Sequence, residues 1–198
     1  MKSRLEEIIA CHCAPALAGI KPANLVSCRI EADPSLEQEL EQLNRRLNVN
    51  GILFRPVCRC KNRLLLLVYR KRTLERHLEN PRLTQYLRRA GYPEGPLEEL
   101  LLHLESRLAA GGEEFPHEIG IFLGYPPEDV EGFRRDRGRN CKFSGYWKVY
   151  GDAERTKELF ARYTRCRNAL LGKVQGGRSI ADLFGAAYTN THFQGGNL

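Results

Sequence analysis

The sequence predicts one α+β domain: a small, mostly antiparallel sheet of about four short strands packed with amphipathic helices. Three observations carry that expectation. Residues 51–70 hold two strand-like runs joined by a short polar turn, the pattern of a β-hairpin. Several segments space their leucines three and four residues apart, the period of one buried helix face. At 198 residues the chain can bury about 70% of its unfolded surface, and it contains no internal repeat. The domain is expected over residues 1–190, with a flexible tail at 191–198.

In chain order, Ser3–Ala10 reads as a short helix ending near Cys11. The proline- and glycine-punctuated stretch 14–24 reads as loop or short helix, leading into a strand over Leu25–Ile30. Asp33 caps a helix with Pro34 at its first position, where the missing amide costs nothing. Its apolar stripe is Leu36, Leu40, Leu43 and Leu47, and Asn50-Gly51 stops it. Strands Ile52–Cys60 and Arg63–Arg70 follow, turning at Lys61-Asn62. Pro56 cannot donate to a ladder, which bends the first strand or puts it on an edge. The second strand is apolar on both faces at Leu64–Val68, so it belongs in the centre of the sheet, covered by helices.

Helices are expected at Thr73–Leu78, at Arg82–Ala90 and from Leu97. In the third, Pro96 starts the element, Leu97, Leu100, Leu101, Leu104 and Leu108 form the stripe, and Gly111-Gly112 ends it. Two short helices broken at Gly124 come next, then a short aromatic strand over Gly145–Tyr150. Asp152 caps a long helix with inner face Leu159, Phe160, Tyr163, Cys166 and Leu170.

An apolar content of 42% with 28% charged residues is ordinary for a globular protein. No apolar run approaches the roughly 18 residues that span a bilayer. The N-terminus lacks the apolar core of a secretory signal, so a cytoplasmic protein with no membrane partner is expected. Seven cysteines, an odd number, argue against a disulfide framework in a chain of this length. Cys11/Cys13 and Cys58/Cys60 have C-x-C spacing, not the C-x-x-C of a zinc knuckle or redox turn. On a strand that spacing puts both sulfurs on one face, as a soft-metal pincer or as two small buried groups.

The net charge of +7 is uneven: residues 51–93 carry +9, residues 94–133 carry −9, and residues 134–178 carry +9. Such alternation fits segments that pack with complementary fields. A nucleic-acid surface would need both basic blocks on one exposed face.

Three groups of residues could carry chemistry. His117-Glu118 follows Pro116 near a helix start, but there is no H-E-x-x-H, because position 121 is Ile121. His12-Cys13 sets an imidazole beside a thiol, as part of a metal site or an activated thiolate. Cys141-Lys142 precedes Tyr146 and Trp147, a lysine that favours a thiolate and aromatics that could line a pocket. His77 and His103, on amphipathic helices, are expected to be exposed, and His192 lies in the tail. No phosphate-binding glycine loop or serine-hydrolase elbow is present. The segment 117–135 looks like a helix–turn–helix core, although Glu128, Asp129 and Glu131 would oppose phosphates.

His12-Cys-Ala-Pro15, Lys21-Pro-Ala-Asn-Leu25, Phe115-Pro-His-Glu-Ile-Gly-Ile-Phe-Leu-Gly-Tyr125 and Gly145-Tyr-Trp-Lys-Val-Tyr-Gly-Asp152 together resemble the bacterial domain of unknown function 3793 family over nearly the whole chain. That family occurs mainly in anaerobic, clostridial-type bacteria, with genes near those for flavodoxin or iron uptake. It has no assigned reaction, so no catalytic residue is carried over. The resemblance and the residues lead to one expectation and two alternatives. The first is an accessory protein in which His12, Cys13, His117, Glu118 and Cys141 hold iron or zinc or meet a redox or iron-handling partner. In that reading Lys21, Asn24, Lys142, Tyr146 and Trp147 form a pocket or partner surface. The alternatives are a nucleic-acid-binding regulator using residues 117–135 and the basic blocks, and an enzyme with Cys141 or Cys13 as nucleophile.

Overall fold

The computed structural model describes residues 4–30, 35–60, 62–110 and 115–185. The expected cap at Asp33-Pro34, the turn residue Lys61, the stop at Gly111-Gly112 and the tail with His192 lie outside the described residues.

The fold is α+β. Helix α1 (Arg4–Leu17) leads to strand β1 (Ala23–Arg29), then α2 (Leu36–Leu47), β2 (Ile52–Cys60) and β3 (Arg63–Arg70). Four helices follow: α3 (Lys71–Leu78), α4 (Pro81–Arg89), α5 (Leu97–Ala109) and the single turn α6 (Ile119–Phe122). Then come α7 (Pro127–Asp136), the two-residue strands β4 (Phe143–Ser144) and β5 (Lys148–Val149), the long α8 (Ala153–Gln175) and α9 (Ile180–Gly185).

The main sheet has the order β1-β3-β2, antiparallel throughout, so β3 is central as its double-sided apolarity requires. Alternation along β3 sorts two cores. Leu64, Leu66 and Val68 face α1, α2, the end of α8 and α9. Leu65, Leu67 and Tyr69 face α3 to α6. All four stripe leucines of α2 are buried, each contributing about 1.5–3 kcal/mol. Strand β2 is an edge, and its ladder shifts between Pro56 and Cys58, as a residue without an amide hydrogen dictates. A third, aromatic core of Trp147, Phe160 and Tyr163 with Val149 joins α8 to the β4–β5 turn.

Several expectations change. Helix α1 does not stop near Cys11 but continues through Pro15 to Leu17. Asn24 on β1 makes this tolerable, because its Oδ1 accepts the Ala16 amide at 3.2 Å. Cys11 and Cys13 are therefore on a helix, about 200° apart, and share no face. The expected strand 145–150 shrinks to the β4–β5 ladder, since Trp147 sits in the turn and buries its ring sideways. His77 and His103 are half-buried rather than exposed. His77 Nε2 donates to the Ile121 carbonyl at 2.8 Å and ties α3 to α6. The His103 ring packs 4.5 Å from Tyr92, and its Nε2 is sealed from solvent with no hydrogen-bond partner among the described residues. Asp152 caps α8 as expected, accepting from the Arg155 amide at 3.1 Å.

Among the described residues no helix is long and apolar enough to cross a membrane.

Candidate functional site

The five residues considered as metal ligands fall in different surroundings. His12 is exposed on α1 above a cavity of about 260 Å³ that also touches Arg4, Cys28 and Arg29. Cys13, one residue on, turns about 100° into the core and is fully buried, which pushes its thiol far up. It is not a thiolate. His117 lies in the turn before α6, its ring edge-on to Phe133 at 5.1 Å. Glu118 is buried and already paired, 2.6 Å from Arg107 Nε, and it accepts from the Tyr92 hydroxyl at 3.4 Å. Cys141 is half-buried in the loop before β4. Among the described residues no three His, Cys, Asp or Glu side chains are grouped to hold a metal ion.

The resemblance motifs instead meet around Lys21. This lysine is 3% exposed at the turn between α1 and β1. Its ammonium lies 5.4 Å from the Tyr125 ring centroid and 5.9 Å from that of Tyr163, with no hydrogen-bond acceptor or carboxylate partner among the described residues. Burial lowers its pKa to about 8. Tyr125 stacks on Trp147 at 4.5 Å, and the Trp147 indole packs edge-on to Phe160 at 4.5 Å. Asp129 fixes this aromatic wall. Its buried carboxylate accepts from Trp147 Nε1 at 2.8 Å and from the Tyr150 and Gly151 amides at 2.7 and 2.8 Å. Tyr146 reaches Thr164 on α8 through its hydroxyl at 3.2 Å, whereas Lys142 points outward and donates to the Gly151 carbonyl at 2.8 Å.

Gly124 holds the two motifs together. Its φ of +77° is left-handed, and a Cβ there would come within 2.7 Å of Pro22. The Gly-Tyr turn is thus pressed directly onto Lys21-Pro22.

A second feature runs along α8. A groove of about 700 Å³ runs between α1, α8 and α9, floored by Ala14, Leu170, Leu183 and Phe184. Four cations line it, Arg70, Arg162, Arg165 and Lys173, and among the described residues of its lining none is acidic. Arg162, Arg165, Ala169 and Lys173 follow one another at helical spacing along a single face of α8. Arg162, Arg165 and Lys173 have no ion-pair partner among the described residues. Arg70 is pre-positioned: its Nε donates to the Leu17 carbonyl at 2.6 Å and its guanidinium stands 5.9 Å from the Phe184 ring.

The charge alternation is therefore resolved in two ways. The first basic block meets the acidic one through Arg55, bound to Glu98 at 2.6 Å and Glu105 at 2.5 Å, and through Arg88 with Glu94. The second basic block pairs only locally among the described residues, Arg135 with Asp136 and Lys157 with Glu154. Sequence reasoning did not single out Arg70, Arg162, Arg165 or Lys173, and it read Tyr163 only as part of a buried helix face and Asp129 only as a charge facing phosphates. The Arg162/Arg165 spacing inside an unneutralised block was the available signal for the groove. Nothing local to Tyr163 marks it as a partner of Lys21.

A family model described as a protein of unknown function (DUF3793) matches residues 9–184. No curated protein and no solved structure matches the chain.

Proposed function

The chain belongs to this DUF3793 family, and we propose that it is a cytoplasmic binding protein for a small amphiphilic anion, an alkyl carboxylate or phosphate. The carrying observation is the groove: an apolar floor rimmed by four cations, with no acidic residue among the described residues of its lining. Its volume of about 700 Å³ is in the roughly 300–1,000 Å³ range of small-molecule sites. Cations left without partners on a surface give a local positive potential that attracts and orients an anion. The apolar floor supplies affinity at about 25 cal/mol per Å² buried. Arg162, Arg165 and Lys173, which have no ion-pair partner among the described residues, fit the headgroup best.

Displacement of a fluorescent anionic naphthalene sulfonate by dodecyl phosphate tests this reading. Wild-type protein is expected to bind, and Arg162→Glu/Arg165→Glu/Lys173→Glu to bind at least tenfold more weakly with an unchanged melting temperature. Equal binding by both proteins would refute it.

The unneutralised face of α8 also favours a second reading, a nucleic-acid-binding surface. Steeply salt-dependent binding of a short duplex, with dodecyl phosphate unable to compete, would select it. The helix–turn–helix form of that reading is weaker, because α6 is a single turn and Asp129 of α7 is buried in a structural role. The iron or zinc reading of His12, Cys13, His117, Glu118 and Cys141 is weaker still: Glu118 is committed to Arg107 and the Cys13 thiol is sealed in the core. The thiol-nucleophile reading rests on Cys141 alone, and ordinary slow alkylation there would end it.

A further inference from the structure

The order of side chains along α8 says more about the groove's ligand, and what it says rests on the anion-binding reading above. Arg162 and Arg165 come first, then Cys166, Ala169 and Leu170, then Lys173, and all six line the groove. This wall therefore runs cation, apolar, cation. At 1.5 Å per residue, Arg165 and Lys173 stand about 12 Å apart along the helix axis, close to the extended length of decanedioate. Arginine and lysine side chains both lean toward the helix N-terminus, so their charged ends keep roughly the spacing of their backbone positions. Neither end is neutralised within the fold: Arg162, Arg165 and Lys173 have no ion-pair partner among the described residues.

From this arrangement we infer that the preferred ligand is anionic at both ends, a long-chain dicarboxylate such as decanedioate. One carboxylate is held by Arg162 and Arg165 and the other by Lys173. A single-headed anion engages only one of these ends. Its methyl terminus then displaces water from the other cation and returns no hydrogen bond for those it removes. A carboxylate at that terminus makes a charge-assisted pair instead. The methylenes between lie along Cys166, Ala169 and Leu170, where the short side chains at 166 and 169 leave room for an extended chain. The two guanidinium forks match the two oxygens of a carboxylate, which fixes that end of the ligand. Lys173 is a point charge on a flexible stem, so the far end accepts small differences in chain length. With no acidic residue among the described lining, a second negative charge also strengthens the long-range attraction.

Isothermal titration of the full-length protein with decanoate, decanedioate and butanedioate at low ionic strength tests this. Decanedioate is expected to bind about fivefold more tightly than decanoate, the yield of one further ion pair at a partly exposed site. An apolar groove with a single anion point gives the reverse order, because decanoate is the more hydrophobic of the two. Butanedioate carries the same two charges but cannot span the ends, and should bind about tenfold more weakly than decanedioate. In Lys173→Met the preference for decanedioate over decanoate is expected to vanish. Decanoate bound as tightly as decanedioate, or more tightly, overturns this inference and leaves the anion-binding reading standing. Butanedioate matching decanedioate, or the full preference surviving in Lys173→Met, overturns it as well. Binding of none of the three ends both readings together. The wild-type ranking decides by itself if the variant does not fold.

Discussion

The ammonium of Lys21 is held inside the fold with no counter-ion among the described residues, and burial lowers its pKa from 10.5 to about 8. Between those values the unfolded chain binds a proton that the folded chain has released, and stability rises with pH across that window. Below about pH 8 both states are protonated and the desolvation cost is felt in full. Lys21→Met is therefore expected to stabilise the protein by about 1–3 kcal/mol at pH 7, with the gain shrinking as pH approaches 10.5. Urea unfolding at the two pH values measures this, and a variant less stable at pH 7 would contradict it. Asp129 is the opposite case, a buried carboxylate with every strong contact satisfied. Asp129→Ala strands the Trp147 indole and two amides and should cost about 3 kcal/mol or more. Loss of the near-ultraviolet dichroism of Trp147 would accompany it. Position Lys21 was visible in sequence as part of a motif, but its chemistry was not. Tyr125 and Tyr163 lie more than 100 residues away, and only the folded chain brings them to the amine.

Elements were most legible where local pattern and tertiary packing agree. The α2 stripe, the β2–β3 hairpin and the Asp152 cap follow from periodicity, turn position and side-chain chemistry alone. The end of α1 was misread because Pro15 is a helix breaker by local rules, while the acceptor from Asn24 comes from another element. The aromatic strand was misread because Trp147 answers to Asp129 and Phe160 rather than to a strand partner. Two glycines separate turn geometry from mere tolerance. Gly124→Ala must strain a positive φ and push Pro22 away, and is expected to destabilise by about 2–4 kcal/mol. Gly172 lies inside α8 with open space where a Cβ would be, so Gly172→Ala should stabilise by about 0.5–1 kcal/mol. Chemical denaturation of the two variants reads both signs, and two like signs would refute the packing described for one of these sites.

At the scale of the whole molecule, the three charge blocks were plain in the sequence, but their fates were not. Arg55 carries the first block into the acidic α5, while the Arg162, Arg165 and Lys173 side of α8 meets no acid among the described residues. That difference depends on which helix lies opposite which, and composition cannot express it. The groove takes form only when the end of β3 brings Arg70 to α1, α8 and α9. The central claim is that this groove selects an amphiphile by negative charge. Isothermal titration of the wild-type protein with dodecyl phosphate, dodecanol and dodecyltrimethylammonium, below their micelle concentrations, tests it most directly. The account predicts saturable binding of the phosphate, at least tenfold weaker binding of the alcohol, and none of the cation. Equal affinity for all three, or none for any, would contradict it.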